Sequence, residues 1–116
     1  MRVSSDLKTV LVVDDHDIVR ELIAEILEQQ GYRVLQASGA AEAIQILEQH
    51  QSTIDLMLSD FLMPGMRGTE LARFARKIRP PMKVLLMSAM EGGDEVIAKP
   101  FEPEVLERRI RSLLGE

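Results

Sequence analysis

The chain has 116 residues, of which 46% are hydrophobic and 28% charged, values typical of one compact domain with a buried core. A net charge of −5 and an aromatic content of 3% argue against nucleic-acid binding, because phosphates repel an acidic surface and bases stack on aromatic rings. The absence of cysteine excludes disulfides and thiolate ligands, so a bound metal is expected to be held by oxygen.

The longest apolar runs are too short to cross a bilayer, and the polar residues 1–8 do not resemble a signal peptide. We therefore expect no membrane segment and a cytoplasmic location. Residues 1–8 are interpreted as a lead-in, followed by a single domain over residues 9–114.

Runs rich in Val, Leu and Ile recur along the chain, and unbroken apolar runs suit strands that are covered on both faces. They predict five parallel strands, at residues 9–13, 33–37, 55–59, 83–87 and 95–98. Helical patterns of ordinary length separate or follow these strands, at residues 17–30, 40–49, 69–77 and 102–114. Strand alternating with helix indicates a doubly wound α/β sheet.

The strand ends carry the side chains suited to chemistry. Asp14 and Asp15 come after the first predicted strand, Asp60 after the third, and Ser88 and Lys99 after the fourth and fifth. Ligands of open parallel sheets bind just beyond the carboxyl ends of the strands. One aspartate at such a place is usually a loop or capping residue, but here four strand ends deliver three carboxylates, a hydroxyl and an ammonium to one edge.

Three carboxylates in a partly desolvated cleft repel one another, so they need protons or a cation to coexist. Oxygen ligands suit Mg²⁺ better than Zn²⁺, which prefers the absent cysteine and the scarce histidine. His16 adjoins the acidic pair, but an oxygen-rich Mg²⁺ site has little use for imidazole, so we do not expect it to bind metal. Magnesium beside an aspartate and a lysine is typical of phosphoryl transfer, because both cations offset charge on the phosphoryl oxygens.

Four segments, VLVVDDHD, LSDFLMPGMRG, LLMSAM and AKPF, occur in this order at the predicted strand ends. Together they resemble the receiver domains of response regulators, over residues 8–114. The resemblance implies a flavodoxin-like sheet with strand order 2-1-3-4-5 and a non-enzymatic signalling role in a two-component phosphorelay. It also implies that a phosphohistidine donates a phosphoryl group to this chain, with Mg²⁺ bound.

The resemblance also assigns roles to single residues. Asp60 matches the phosphoacceptor, Ser88 the hydroxyl that bonds a phosphoryl oxygen, and Lys99 the ammonium that pairs with another. The peptide bond between Lys99 and Pro100 matches the family's cis bond. The positions that match the metal ligands are Asp14, acting mostly through water, Asp15, Asp60 and the backbone carbonyl of Leu62.

The chain departs from the receiver pattern between the fourth and fifth strands. Only residues 89–98 separate Ser88 from Lys99, and these ten residues must also supply the fifth strand. A parallel crossover that includes a helix needs at least about 10–12 residues by itself. The fourth crossover helix is therefore expected to be missing or replaced by a loop.

Two further departures concern the switch and the lifetime of the phosphorylated state. Val96 stands three residues before Lys99, where receivers usually carry a Tyr or Phe that swings inward on phosphorylation. Leu62 and Met90 stand two residues beyond Asp60 and Ser88, where receiver side chains flank the path of the hydrolytic water. Apolar groups cannot orient that water, so the phosphorylated form should be long-lived unless both residues are surface filler.

Two other functions compete with the phosphoacceptor. A Mg²⁺-dependent phosphatase resembling the haloacid-dehalogenase type would carry an Asp two residues after its nucleophile, and this chain has Leu62 there. A receiver-like interaction module that signals without phosphorylation would explain the missing helix, although every site residue is present.

The first predicted helix carries more apolar positions than a core-facing stripe requires, so some should be exposed. Ile18 lies nearest the predicted site and is the candidate for docking a histidine kinase or a histidine phosphotransfer protein, as in the family. A scattered surface aliphatic is the alternative. The sequence leaves open the oligomeric state and whether the domain stands alone or belongs to a hybrid kinase or larger regulator.

Overall fold

The structure is a computed structural model that describes residues 7–50, 53–89 and 95–116. Its strands are β1 (Thr9–Val13), β2 (Arg33–Ala37), β3 (Leu56–Asp60), β4 (Lys83–Ser88) and β5 (Val96–Ala98). Its helices are α1 (Asp17–Gln29), α2 (Ala40–Gln49), α3 (Gly68–Ile78) and α4 (Pro103–Leu114). The strands are parallel and lie in the order β2-β1-β3-β4-β5, which confirms the predicted flavodoxin-like, doubly wound sheet.

The central strands β1 and β3 are buried along their whole length, because helices cover both faces of the sheet. Successive residues of β1 point to opposite faces. Leu11 and Val13 pack in the cluster that includes residues of α2 and α3. Val10 and Val12 pack in the cluster that includes residues of α1 and α4. Each buried Leu or Val stabilises the fold by about 1.5–3 kcal/mol relative to exposure, so the unbroken apolar runs are the main source of the sheet's stability.

The third strand begins and ends one residue later than its pattern predicted. Asp55 lies just outside it and accepts a hydrogen bond of 2.8 Å from the backbone N–H of Thr9 through its side chain. Asp60 is the last residue of the strand and pairs with Met87 of β4. The acidic side chain is therefore buried at the rim of the sheet, whereas the sequence placed it in the following loop.

The connection from β4 to β5 is short, as the sequence predicted. The two strands leave seven residues between them, 89–95, which is fewer than two turns of α-helix. A three-turn crossover helix does not fit, and the conformation of residues 90–94 lies outside the described residues. Glu95 fixes the start of β5, because its backbone carbonyl accepts a 2.7 Å hydrogen bond from Leu86 and its carboxylate pairs with Arg76 of α3.

Across the three described segments, no helix combines the length and apolar character that a membrane span requires.

Candidate functional site

The carboxyl ends of β1, β3 and β5 converge at one edge of the sheet. Asp14 directly follows β1, Asp60 ends β3, and Lys99 directly follows β5. The ammonium Nζ of Lys99 lies 2.8 Å from Oδ1 of Asp60, whose side chain is 10% exposed. The backbone N–H of Lys99 donates to the carbonyl of Ser88 at 2.6 Å, and a cis bond joins Lys99 to Pro100, as predicted. The structure therefore brings a buried carboxylate and an ammonium into direct contact.

A second group of side chains meets Asp60 from the loop after β1. Asp14, Asp15, His16 and Asp60 each offer a potential metal-ligating atom, and these atoms all lie within 4.8 Å of one another. The side chain of Asp14 is fully buried. Its Oδ1 accepts a hydrogen bond of 2.9 Å from the backbone N–H of His16, and its Oδ2 has no hydrogen-bond partner.

A buried carboxylate oxygen without a partner carries the full cost of its lost hydration. A cation at the cluster would relieve that cost and the repulsion among the three carboxylates. The donor set contains several hard oxygen atoms, which is the kind of coordination that Mg²⁺ accepts. The residues present therefore fit a divalent cation.

Arg20 is a member of this region that the sequence did not single out. Its side chain is 12% exposed and donates to the backbone carbonyl of Asp14 at 3.0 Å and to Asp17 at 2.8 Å. The guanidinium also donates to Gln36 of β2 at 3.2 Å. Arg20 thus fixes the loop that carries the acidic pair. The available signal was the spacing of three residues from Asp17, a distance that allows side chains on one helix to pair.

The other predicted site residues occupy the same rim or lie outside the described residues. Ser88 ends β4 one residue beyond the partner of Asp60 and is half-buried. Leu62 lies in the loop after β3 with its side chain exposed, and Met90 falls outside the described residues. Gly68 closes this loop, because its N–H donates to the carbonyl of Phe61 at 2.8 Å.

The model of the response regulator receiver domain family matches residues 10–111, and the chain belongs to this family. Receiver domains are signalling modules of two-component systems and work with histidine kinases or phosphotransfer proteins.

Individual relatives agree with this assignment. The chain is 34% identical over 120 residues to the phosphate regulon transcriptional regulatory protein PhoB of Pseudomonas aeruginosa, a match that covers 92% of this chain and 52% of that protein. It thus spans about half the length of the transcriptional regulators that it matches.

Solved receiver structures share the fold. The receiver domain of the hybrid histidine kinase CckA is 37% identical, with a TM-score of 0.84 over 91% of this chain and 98% of that one. The response regulator TrrA of Thermotoga maritima is 31% identical, with a TM-score of 0.82 over 92% and 99% of the two chains. The TrrA structure is a complex with Mg²⁺ and BeF.

Proposed function

We propose that this receiver domain accepts a phosphoryl group from a phosphohistidine onto Asp60, with Mg²⁺ bound at the adjacent acidic cluster. The observation that carries the proposal is the 2.8 Å contact between Lys99 and a mostly buried Asp60 whose carboxylate also belongs to that cluster. An isolated buried ion pair would be structural, but a pair beside carboxylates that can hold a dication is suited to handling an incoming phosphoryl dianion, because the ammonium and the dication offset its charge.

The transfer requires little covalent work from the chain. An Asp60 oxygen attacks phosphorus, the bond from phosphorus to the donor imidazole nitrogen breaks, and that nitrogen keeps the electron pair. An acyl phosphate is left on Asp60. Lys99, already beside Asp60, offsets negative charge on one phosphoryl oxygen, and the hydroxyl of Ser88 donates to another.

The metal would be held directly by the carboxylates of Asp15 and Asp60 and by the backbone carbonyl of Leu62, with Asp14 acting mostly through water. When bound, Mg²⁺ supplies positive charge that offsets the charge of the phosphoryl oxygens. Asp14 is suited to an indirect role through water, because its Oδ1 already accepts the N–H of His16.

The partner would dock on α1 and on the loop after β5. A groove of about 470 Å³ runs between them, and Ile18, which precedes the groove residue Val19 in α1, is 82% exposed. An exposed apolar patch next to a polar site is typical of a protein interface. Lys99 belongs both to this groove and to the site, so a partner seated there would bring its phosphohistidine close to Asp60. The groove is lined by Val19, Leu22, Ile23, Ile26, Met87, Lys99, Pro100 and Phe101.

The test is phosphorylation with acetyl phosphate and Mg²⁺, read as the intact mass of the protein. We expect wild type to gain one phosphoryl group and Asp60→Asn to gain none. Asp55→Asn is the matched control, because Asp55 directly precedes β3, at the end of the strand opposite to Asp60, and this variant should be labelled like wild type. Undiminished labelling of Asp60→Asn would contradict the assignment, whereas an unlabelled wild type would favour an interaction module that signals without phosphate.

A further inference from the structure

The positive charge of the chain is concentrated in one segment. Residues 67–83, which run from the N-cap of α3 to the first residue of β4, hold six Lys or Arg residues and one acidic residue, a net charge of +5. The other 99 residues hold the remaining eight cationic and 18 acidic residues, a net charge of −10. An otherwise acidic molecule therefore has one basic segment, which attracts negatively charged partners.

A groove of about 480 Å³ lies along this segment, between α3 and β4. Its α3 side carries Arg73, Arg76 and Lys77, whose spacing of three and four residues places them on one side of the helix. Aliphatic residues complete the lining, among them Val84 and Leu86 of β4, which are buried. The groove thus combines an aliphatic base with a rim of cations.

The charges of this rim are only partly offset within the chain. Glu95, directly before β5, is the acidic residue among the described residues that line the groove, and its carboxylate pairs with Arg76. Arg73 and Lys77 are exposed, and neither forms an ion pair within residues 7–50, 53–89 and 95–116. The groove therefore presents two positive charges that no carboxylate of the described residues offsets.

Other anionic partners suit this groove less well than a protein does. A membrane surface also requires exposed apolar side chains that enter the lipid, and the large exposed ones, such as Ile18 and Leu62, lie outside the groove. Single-stranded nucleic acid is held by aromatic stacking, and no aromatic side chain of the described residues lines the groove. A second copy in a symmetric dimer would place the basic segment against itself, where like charges repel.

We propose that this groove binds an acidic segment of a partner protein, whose carboxylates pair with Arg73 and Lys77 while its aliphatic groups lie against the stems of these cations. The contact requires neither a phosphoryl group nor a metal, so it goes beyond the proposed phosphoacceptor function. It is also separate from the proposed docking groove on α1, because no described residue lines both grooves. The competing explanation is a solvated basic surface without a partner.

Fluorescence anisotropy with a labelled amphipathic peptide of Glu, Leu and Ala tests the proposal, and the same peptide with Gln in place of Glu is the matched probe. We expect wild type to bind only the acidic peptide. Arg73→Glu should weaken this binding about 10-fold or more, because like charges then face each other across the interface. Arg108→Glu is the control, since it changes the net charge equally at an exposed position of α4, and it should bind like wild type. Absence of binding by wild type, or equal losses in the two variants, would overturn the proposal.

Amide chemical shifts of the ¹⁵N-labelled protein locate the bound peptide. We expect changes in α3 and β4, and changes confined to α1 would contradict the proposal. The proposal would also be wrong if Arg73→Glu abolished a tighter binding of phosphatidylserine vesicles or oligothymidine, or abolished self-association of wild type, because the groove would then have another occupant.

Acetyl phosphate labelling keeps this inference distinguishable from the proposed function. Wild type and Arg73→Glu should be labelled alike, because Arg73 lies outside the phosphoacceptor site. Labelling of wild type without peptide binding would contradict only the inference. Peptide binding without labelling would support the inference and contradict only the phosphoacceptor role.

Discussion

Two buried aspartates at the sheet edge have opposite electrostatic surroundings. Asp60 contacts the ammonium of Lys99, whereas the carboxylate of Asp14 is contacted by no Lys or Arg side chain of the described residues, meets the His16 imidazole through Oδ1 and leaves Oδ2 without a partner. A buried charge is costly unless it is paired, so the unpartnered Oδ2 of Asp14 lowers the stability of the fold. The two environments agree with the proposed function, in which Asp60 accepts the phosphoryl group and Asp14 lies beside a cation.

Gly68 shows how closely the backbone packs behind Asp60. A Cβ at this position would lie 2.4 Å from the backbone oxygen of Asp60 and 3.1 Å from Cα of Phe61. Backbone atoms cannot move aside as a flexible side chain can, so Gly68→Ala should displace the end of β3. We expect a loss of unfolding free energy of about 1–3 kcal/mol in urea denaturation, together with slower labelling by acetyl phosphate.

Gly39→Ala is the control for that substitution, because no atom lies within 4 Å of a Cβ built at Gly39. Gly39 is the N-cap of α2 with φ of 179°, an extended conformation open to alanine. Its cost should stay below about 1 kcal/mol. Equal destabilisation by the two alanines would show that the contact with Asp60 is not the reason for glycine.

The sequence predicted which residues reach the site edge better than it predicted what they contact there. Asp14, Asp60 and Lys99 could be predicted to share one edge, because the carboxyl ends of parallel strands lie at the same edge of a sheet. The close approach behind Gly68 was not predictable, since it depends on how the loop after β3 folds back against the end of that strand. The approach of the exposed His16 ring to Asp14 also depends on a rotamer that no pattern encodes.

At the scale of elements, apolar periodicity located every strand and helix of the described residues to within one or two residues of its bounds. The observed bounds of β1, β2 and α2 match the predicted ones completely. The predicted bounds of the third strand were one residue too early, since the polar residue Asp60 still pairs with β4 as part of the strand. Polar strand residues at functional edges are the cases where burial cannot be inferred from residue type.

The last strand illustrates how the short crossover is accommodated. Val96 packs, half-buried, against the core cluster beneath α2 and α3, and its backbone carbonyl accepts a 2.6 Å hydrogen bond from Arg109 of α4. A valine held between the core and α4 has no ring to swing between two positions. Any switch in this domain therefore differs from one based on an aromatic side chain at this position.

Helix α1 presents the surface on which partner specificity can be tested. Ile18→Asp should reduce phosphoryl transfer from a cognate phosphorylated histidine protein, because it places a charge in an apolar patch that is 82% exposed at this residue. Labelling by acetyl phosphate needs no docking and should stay at the wild-type rate. We expect the transfer rate to fall by about 10-fold or more, the loss typical of an interface residue worth more than 1 kcal/mol.

Gln45→Asp on α2 is the matched control, since it adds the same charge to an exposed helical position away from the groove. Its transfer rate should match wild type. If Ile18→Asp left phosphoryl transfer unaffected, the partner would not dock at this residue of α1. Equal losses of transfer and of acetyl phosphate labelling would indicate a damaged site instead.

At the scale of the whole molecule, this chain corresponds to one part of its longer relatives. It covers 52% of PhoB, yet 98% of the CckA receiver domain, so the similarity is to the receiver portion. In the proposed function, the phosphorylated form of the domain carries the signal. The lifetime of that form would therefore set how long a partner receives it.

The phosphorylated form is expected to be long-lived for a receiver. The side chain of Leu62 is 66% exposed in the loop after β3, and it offers no polar group to align water near the acyl phosphate. The second position, Met90, lies outside the described residues. A positioned acid or base typically contributes a factor of about 10²–10⁴ to such a step, so its absence should be visible in the decay of the phosphorylated protein.

Leu62→Asn with Met90→Glu should therefore speed the loss of phosphate after donor removal at constant Mg²⁺, with Leu62→Asn alone giving part of the effect. Leu22→Asn is the control: it replaces a different exposed leucine, which lies in α1, and should leave the half-life of the phosphorylated form unchanged. Equal half-lives for wild type and the double variant would mean that Mg²⁺ and Lys99 set the rate and that the apolar pair plays no part in it.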